Sequence, residues 1–424
     1  MPRDARPLHA SDGHQDAASL RASLEQIARL GGGYATGNAL RMGLSFVQSL
    51  VLARGLGPEE FGHWILWSSW AATLTAAFDA GFGVLVTRDA ARDATQGGRL
   101  VSAACAVRWT LFAPVGALLW LASAWFAAPE SQAAARRIVG LVAVGLGYGA
   151  VAAGFRAWPT WVPFVLATET AGAVVAMAGA IMVVARGLGA TTMLEVAIGV
   201  KVLQLTAALG LWRVFEGPSL GSPSVAEGRR LLRRAWPFAL LGLVANGQAR
   251  LAPLLLGVQS SAEQLAYLGA ASRLVEALKA LPQAALTGVL PVLSAQRAHQ
   301  EAGRVRAAFH TWLYRFGLVA MATLLLAGYP VLRWSFGVEY LGAWPVLLVL
   351  AVAMPPTLSN SAREVYLFAA GREDDVARWS AIALAIQAGL AVLLIPYLGA
   401  IGAAVALLVG ELFVLSPLRR ALEQ

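Results

Sequence analysis

Apolar stretches of about 20 residues recur along most of this chain, separated by short breaks rich in charge, proline or glycine. Wound as helix, a stretch of that length crosses the roughly 30 Å hydrocarbon core of a bilayer. The runs are unbroken rather than alternating, which selects helices over strands. Spans are expected near 33–53, 64–86, 103–127, 138–156, 160–185 and 194–212, then 237–258, 264–292, 309–330, 343–370, 377–396 and 399–416. The 424 residues are 58% hydrophobic and 13% charged, against about 25% charged in an ordinary globular protein, which excludes a soluble enzyme. The expected fold is an all-α membrane protein of about twelve transmembrane helices in two six-helix lobes, arranged as parallel repeats.

The polar segments set the expected organisation. Residues 1–18 mix Arg3, Arg6, Asp4, Asp12 and Asp16 without an apolar core, so they read as a disordered tail and not a secretory signal. Leu20, Leu24 and Ile27, flanked by Arg21, Glu25 and Arg29, fall at helical spacing and suggest a short amphipathic helix on the membrane surface. The domains expected are 1–31 (cytoplasmic tail with that helix), 32–215 (first lobe), 216–235 (linker), 236–418 (second lobe) and 419–424 (tail). The linker holds Gly217, Pro218, Gly221 and Pro223 beside Arg229, Arg230, Arg233 and Arg234. With the N-terminus inside, the inner segments hold 20 Lys and Arg and the outer ones five. That bias places both termini in the cytoplasm. The basic residues are scattered between spans instead of clustering on one polar domain, so nucleic acid is not an expected partner. Cys105 is the single cysteine and leaves no intramolecular disulfide. Glu59–Trp64 can be laid over Glu263–Leu268, each after the first span of its half, as a short internal echo.

The functional signal is charge at membrane depth. Arg108 and Arg315 lie within reach of a surface and are expected to snorkel. Arg41, Arg250, Arg273, Lys279 and Arg363 sit several residues inside their spans. At about 2.5–3.5 kcal/mol each on insertion scales, they would cost on the order of 12–18 kcal/mol facing lipid. They are therefore expected to line a water-filled cavity, to meet carboxylates or to bind an anion. Lys201 is a further intramembrane cation. Asp79, Glu169, Glu276 and Glu364, with Glu195 and Glu411, supply carboxylates in the spans, and the first four are candidates for ion coupling. Arg273, Glu276 and Lys279 share one arc of a helix and can neutralise each other. Arg41 and Arg250 have no carboxylate at three or four residues in their own helices. Both readings stay open here: a structural ion-pair network, or a cationic cavity for an anionic substrate.

Several chemistries are set aside. Neither Lys201 nor Lys279 stands in a Walker A context. Gly217-Pro218-Ser219-Leu220-Gly221 spells a nucleophile elbow, but no strand precedes it. His9, His14, His63, His299 and His310 fall in the tail or in expected loops and give no metal constellation; no cofactor is implied. Pro253 and Pro355-Pro356 interrupt spans and are candidate bending points.

Leu52-Ala53-Arg54-Gly55-Leu56-Gly57-Pro58-Glu59-Glu60-Phe61-Gly62, then Asp79-Ala80-Gly81-Phe82 and Arg88, resembles the opening of bacterial polysaccharide-biosynthesis flippases of the Wzx type. Those belong to the multidrug/oligosaccharidyl-lipid/polysaccharide exporter (MOP) superfamily. Tyr267, Ala270, Arg273, Pro291-Val292-Leu293-Ser294, Pro396 and Gly399–Ala404 look like that family's C-terminal lobe. The resemblance covers about 30–416 and implies alternating-access transport of an undecaprenyl-pyrophosphate-linked oligosaccharide, with membrane lipid and polysaccharide polymerase or co-polymerase proteins as partners. Its motifs assign no binding residue here. The alternatives are a lipid II flippase, a cation-coupled multidrug exporter of the same superfamily, a membrane-embedded polysaccharide polymerase or ligase, and a structural member of an assembly complex.

Overall fold

The computed structural model describes residues 12–423 apart from 216, 218, 222 and 296–300. Among the described residues there is no strand. The helices are α1 (Asp12–Asp79), α2 (Phe82–Arg92), α3 (Gly97–Ala122), α4 (Pro129–Ala157), α5 (Val162–Ala185), α6 (Ala190–Val214), α7 (Val225–Gln259), α8 (Ala262–Ala295), α9 (Glu301–Ser335), α10 (Trp344–Ala369), α11 (Glu373–Leu398) and α12 (Ala400–Glu423). Val and Ile, which favour strands in water, sit here inside helices because hydrocarbon offers the backbone no partner but its own next turn. Nine helices among the described residues are long and apolar enough to cross a membrane, and 37–79 with α2 forms a further, bent, apolar segment. Division of α1 at Gly57 makes two antiparallel arms of that segment; with α8 the crossings reach the expected twelve.

The breaks follow backbone chemistry. Gly57 takes φ 79° inside α1, a conformation glycine adopts freely, and Pro58 opens the next arm. The second span was expected to run straight from 64 to 86. Instead α1 stops at Asp79, Gly81 takes φ 72°, and α2 leaves at 45°. A Cβ on Gly81 would stand 2.5 Å from that of Phe238, so the elbow lies flush on α7. The basic cluster also differs from a loose linker. A capping box starts α7 at Val225: Glu227 N donates to Ser224 Oγ (3.1 Å) and Ser224 N to Glu227 Oε2 (3.0 Å), which puts Arg229–Arg234 on a helix. Helix α10 runs on through Pro355 and Pro356, and α7 through Pro253. Gly317 of α9 lies against the Pro355 backbone, so close packing occupies that expected bending point. Of the disordered tail expected over 1–18, residues 1–11 lie outside the described residues and 12–18 are helical instead; the side chains of the expected amphipathic helix also lie outside the described residues. The backbone there is already helical from Asp12.

Packing joins the two halves at the Gly57 end. The largest apolar core combines Leu52, Phe61, Val183 and Met193 with Leu256, Leu265, Leu274, Leu347 and Tyr340. Tyr340 OH donates to the Ala53 carbonyl (2.8 Å), and α1 meets α8 so closely that a Cβ on Gly62 would stand 1.8 Å from the Ala262 carbonyl oxygen. A second core holds Phe82, Phe155 and Trp212, closed by Leu231 and Ala235 of α7. The internal echo has a structural counterpart. Ala190 N donates to Glu60 Oε2 (2.6 Å), and Ala400 N donates to Gln264 Oε1 (3.0 Å). Glu60 and Gln264 are the aligned positions, and each caps the sixth helix of its own half.

Candidate functional site

A cavity of about 640 Å³ lies between the halves, walled by α1, α4, α5, α6 and α8. Arg41 of α1 and Glu169 of α5 each sit sixteen residues from the Gly57-side end of their segment, about 24 Å along a helix and so at the same depth. Arg41 NH1 donates to Glu169 Oε2, and Arg41 NH2 donates to Asn38 Oδ1 at 3.0 Å. Arg156, at the end of α4, donates to the other oxygen of Glu169. Lys201 Nζ donates to Gln204 Oε1 (2.9 Å) and stands 5.0 Å over the Tyr148 ring. From the opposite wall Arg273 NH1 donates to Glu276 Oε2 (2.9 Å). Arg250 does not line the cavity but lies within electrostatic reach of Arg273 and Glu276. Three lining cations face two lining carboxylates, and Arg156 and Arg250 raise the cationic surplus to three. A water-accessible, cationic site of this size suits an anion presenting several oxygens.

The other expected residues stand elsewhere. Glu364 lines a second cavity of about 200 Å³ among α7, α10, α11 and α12, with Gln248, Asn360, Ser380, Gln387 and Glu411. Asn360 Nδ2 donates to Glu411 Oε2 (2.8 Å), and Lys279 is within electrostatic reach of Glu411 and Glu276. Arg363 donates to the Leu415 carbonyl (3.2 Å) and ties α10 to α12. Asp79 pairs with Arg108 at the α1–α2 elbow. Arg108 does not snorkel as expected: it is 0% exposed, because Asp79 and the Phe82 ring hold it against the bundle. Arg315 is exposed. His63 and His310 lie on helices and not in loops; His310 Nε2 bonds Ser359 Oγ at 2.8 Å. Glu60, His63 and Glu130 bring ligand-type atoms within 4.8 Å of one another, although Glu60 already caps α6.

The sequence signature of the polysaccharide biosynthesis protein family matches residues 31–296, more than half of the chain. The chain belongs to that family. No curated protein sequence matches it. The structure superposes on lipid II flippase MurJ in an inward closed conformation with TM-score 0.77 and 13% identity, over 92% of this chain and 87% of that one. An inward-facing multidrug resistance MATE transporter of the MOP superfamily gives 0.67 and 15%, over 91% and 94%. A MOP superfamily transporter from Pyrococcus furiosus, whose structure is described by a binding pocket of reverse polarity, gives 0.63 and 14%, over 94% and 95%. At such identities the likeness is one of fold: this polysaccharide biosynthesis protein is a multi-pass membrane protein with the MOP transporter architecture. Of the expected cavity cations Arg41 and Arg273 line the cavity between the halves, together with Glu169 and Glu276, which were expected only as ion-coupling candidates; Lys201, Gln204, Tyr148 and Arg156 were not expected as site residues. Lys201 and Gln204, three apart in an otherwise apolar run, carried a usable signal: two polar groups on one helical face. Arg156, in the last turn of α4, carries no such signal, since a basic residue at the end of a span is ordinary.

Proposed function

We propose that this protein is a flippase that carries an undecaprenyl-pyrophosphate-linked oligosaccharide from the inner to the outer leaflet of the bacterial cytoplasmic membrane, serving O-antigen, capsule or exopolysaccharide synthesis. The cationic surplus of the inter-half cavity carries the proposal. A pyrophosphate does not cross hydrocarbon unaided, and guanidinium forks offer paired donors to its oxygens. Arg41 and Arg273 compensate the head group from the two halves, with Lys201 and Arg156 beside Arg41 and Arg250 within electrostatic reach of Arg273; Lys279 and Arg363, expected at the same surface, stand toward α12 instead. The lobes, 32–215 and 236–418, rock about this site by alternating access, with both termini cytoplasmic. The work is transport and not catalysis. An ion gradient drives it through Glu364, which shares the second cavity with Glu411; Asp79, Glu169 and Glu276 are the other coupling candidates. Membrane lipid and polysaccharide polymerase or co-polymerase proteins are the partners of such a carrier.

One rival has a specific observation behind it. The fold similarity to a lipid II flippase favours a second polyprenyl pyrophosphate as cargo. A carrier of cationic drugs would need the opposite cavity charge. The test is translocation in proteoliposomes, with labelled undecaprenyl-pyrophosphate-linked oligosaccharide and lipid II as parallel probes and their exposure to an external modifying enzyme as readout. The expected result is that wild type exposes the inner pool of the oligosaccharide probe and Arg41→Ala/Arg250→Ala does not. Exposure of lipid II alone transfers the reading to that cargo, and exposure of neither overturns it.

A further inference from the structure

A carrier must cross back empty after each release, and a cavity designed for an anion is then at its least stable. Guanidinium groups without counter-charge resist enclosure, since each step that dries the cavity strips their water. The arrangement around Glu169 answers this problem. Glu169 is 10% exposed and gives one carboxylate oxygen to Arg41 and the other to Arg156. Lys201 and Tyr148 are within its electrostatic reach. The Arg41 Nε is buried and has no hydrogen-bond partner, so Glu169 and Asn38 leave the donors of this guanidinium incompletely satisfied. All of these residues stand on α1, α4, α5 and α6, before the break between the halves. Rocking of one half against the other therefore leaves the cluster intact. The facing half carries its own version, Arg273 with Glu276 three residues on.

Resting on the flippase reading, we infer that Glu169 is a resident counter-ion: the diphosphate displaces it from Arg41 and Arg156 on loading, and it closes back on them for the empty return. A diphosphate carries more charge and more acceptor oxygens than one carboxylate, so it wins the guanidiniums when present. Once cargo leaves, the tethered carboxylate is the nearest anion. The carboxylate thus weakens cargo binding and speeds turnover, two effects that a residue serving only to hold helices together would not link.

The experiment uses the full chain with Glu169→Gln and Glu169→Asp. Binding is read with inorganic pyrophosphate by calorimetry in detergent. Movement is read in proteoliposomes with labelled undecaprenyl pyrophosphate bearing one N-acetylhexosamine, in two modes. Net flipping starts with probe in one leaflet; exchange has unlabelled probe in the other leaflet, so that no empty return is needed. For Glu169→Gln the expected result is pyrophosphate binding about tenfold tighter, net flipping about tenfold slower, and exchange within about threefold of wild type. Glu169→Asp, which keeps the charge, stays near wild type in net flipping. Equal loss of net flipping and exchange in Glu169→Gln, unchanged or weaker pyrophosphate binding, or an Asp variant that matches the Gln variant overturns the inference while the flippase reading stands. A wild type that neither binds pyrophosphate nor moves the probe overturns the reading of the cavity, and the inference with it.

Discussion

Asp79→Asn should loosen the first half of the molecule far more than a change at a one-third-exposed side chain ordinarily does. Asp79 is the carboxylate paired with Arg108, whose side chain is 0% exposed. Removing one partner of a buried pair strands the other charge, at a cost of about 3–5 kcal/mol. The Phe82 ring, 5.9 Å from the guanidinium, and the Leu146 carbonyl, 3.4 Å from NH1, remain after the substitution and put the expectation at the lower end, about 3 kcal/mol. The chain supplies its own reporter. Cys105 is its single cysteine, half-buried on α3 three residues before Arg108. With 1.4 kcal/mol to each factor of ten, a bulky maleimide applied where opening precedes reaction should label Cys105 about 100-fold faster in Asp79→Asn. Asp79→Asn/Arg108→Met should recover much of the loss, because no orphan charge is left. A change below about threefold in the single variant, or a double variant no slower to label than the single one, would refute the buried-pair reasoning.

Gly62→Ala should cost at least about 2 kcal/mol and lower the thermal midpoint, since its Cβ meets the Ala262 carbonyl oxygen of α8 and two helices must part; Gly43→Ala, with nothing within 4 Å of the new Cβ, is its silent control. Glu60→Ala and Gln264→Ala should each cost about 1 kcal/mol as lost helix caps, and the two losses should add, having no shared partner. The Glu227 carboxyl is held below its ordinary value of 4.5 chiefly by the Ser224 backbone N–H, with Arg99 adding to it. A lowered folded value means that the first turn of α7 gains protection above the ordinary value and loses it as pH falls through the lowered one. Amide exchange over 225–228, corrected for intrinsic rates, should show that step in wild type and not in Glu227→Gln; protection that rises on acidification would contradict it.

The helices and their order were legible because hydrocarbon permits few backbone solutions, and hydropathy alone then locates them. What escaped was set by side chains that meet across helices. Asp79 and Arg108 lie 29 positions apart and looked like an ion-coupling candidate and a snorkelling arginine; the fold pairs them at the elbow where the second span bends. Arg41 was known to need a carboxylate from elsewhere, but Glu169, 128 positions on, was visible only as one of several. Arg363 and Lys279 shared the depth criterion of Arg41, and the fold turns them toward α12 instead. The internal echo was short enough to arise by chance, and the shared capping by Glu60 and Gln264 gives it a physical cause.

The two ends of the molecule are held shut by different forces. At the Gly57 end the contact is apolar and shared by many elements: Leu52, Phe61, Val183 and Met193 interlock with residues of α7, α8, α9 and α10. Burial of that kind stabilises by about 25 cal/mol per Å² and is lost only when whole helix faces separate. At the Gly81 end α7 reaches α2 and α3 through Leu231, Ala235 and Phe238 and through two ion pairs, Arg234 with Asp89 (2.7 Å) and Arg99 with Glu227. The exposed Arg99–Glu227 pair contributes little and weakens with salt, whereas Asp89 is 11% exposed and its pair with Arg234 is less screened. Parting the halves at the Gly81 end thus means detaching Leu231, Ala235 and Phe238 and two ion pairs, whereas parting them at the Gly57 end means pulling Leu52, Phe61, Val183 and Met193 out of the largest core. The less costly motion from this state opens the cavity toward the arginine-rich end, past Arg234 and Arg99 and toward Arg156 and Glu169.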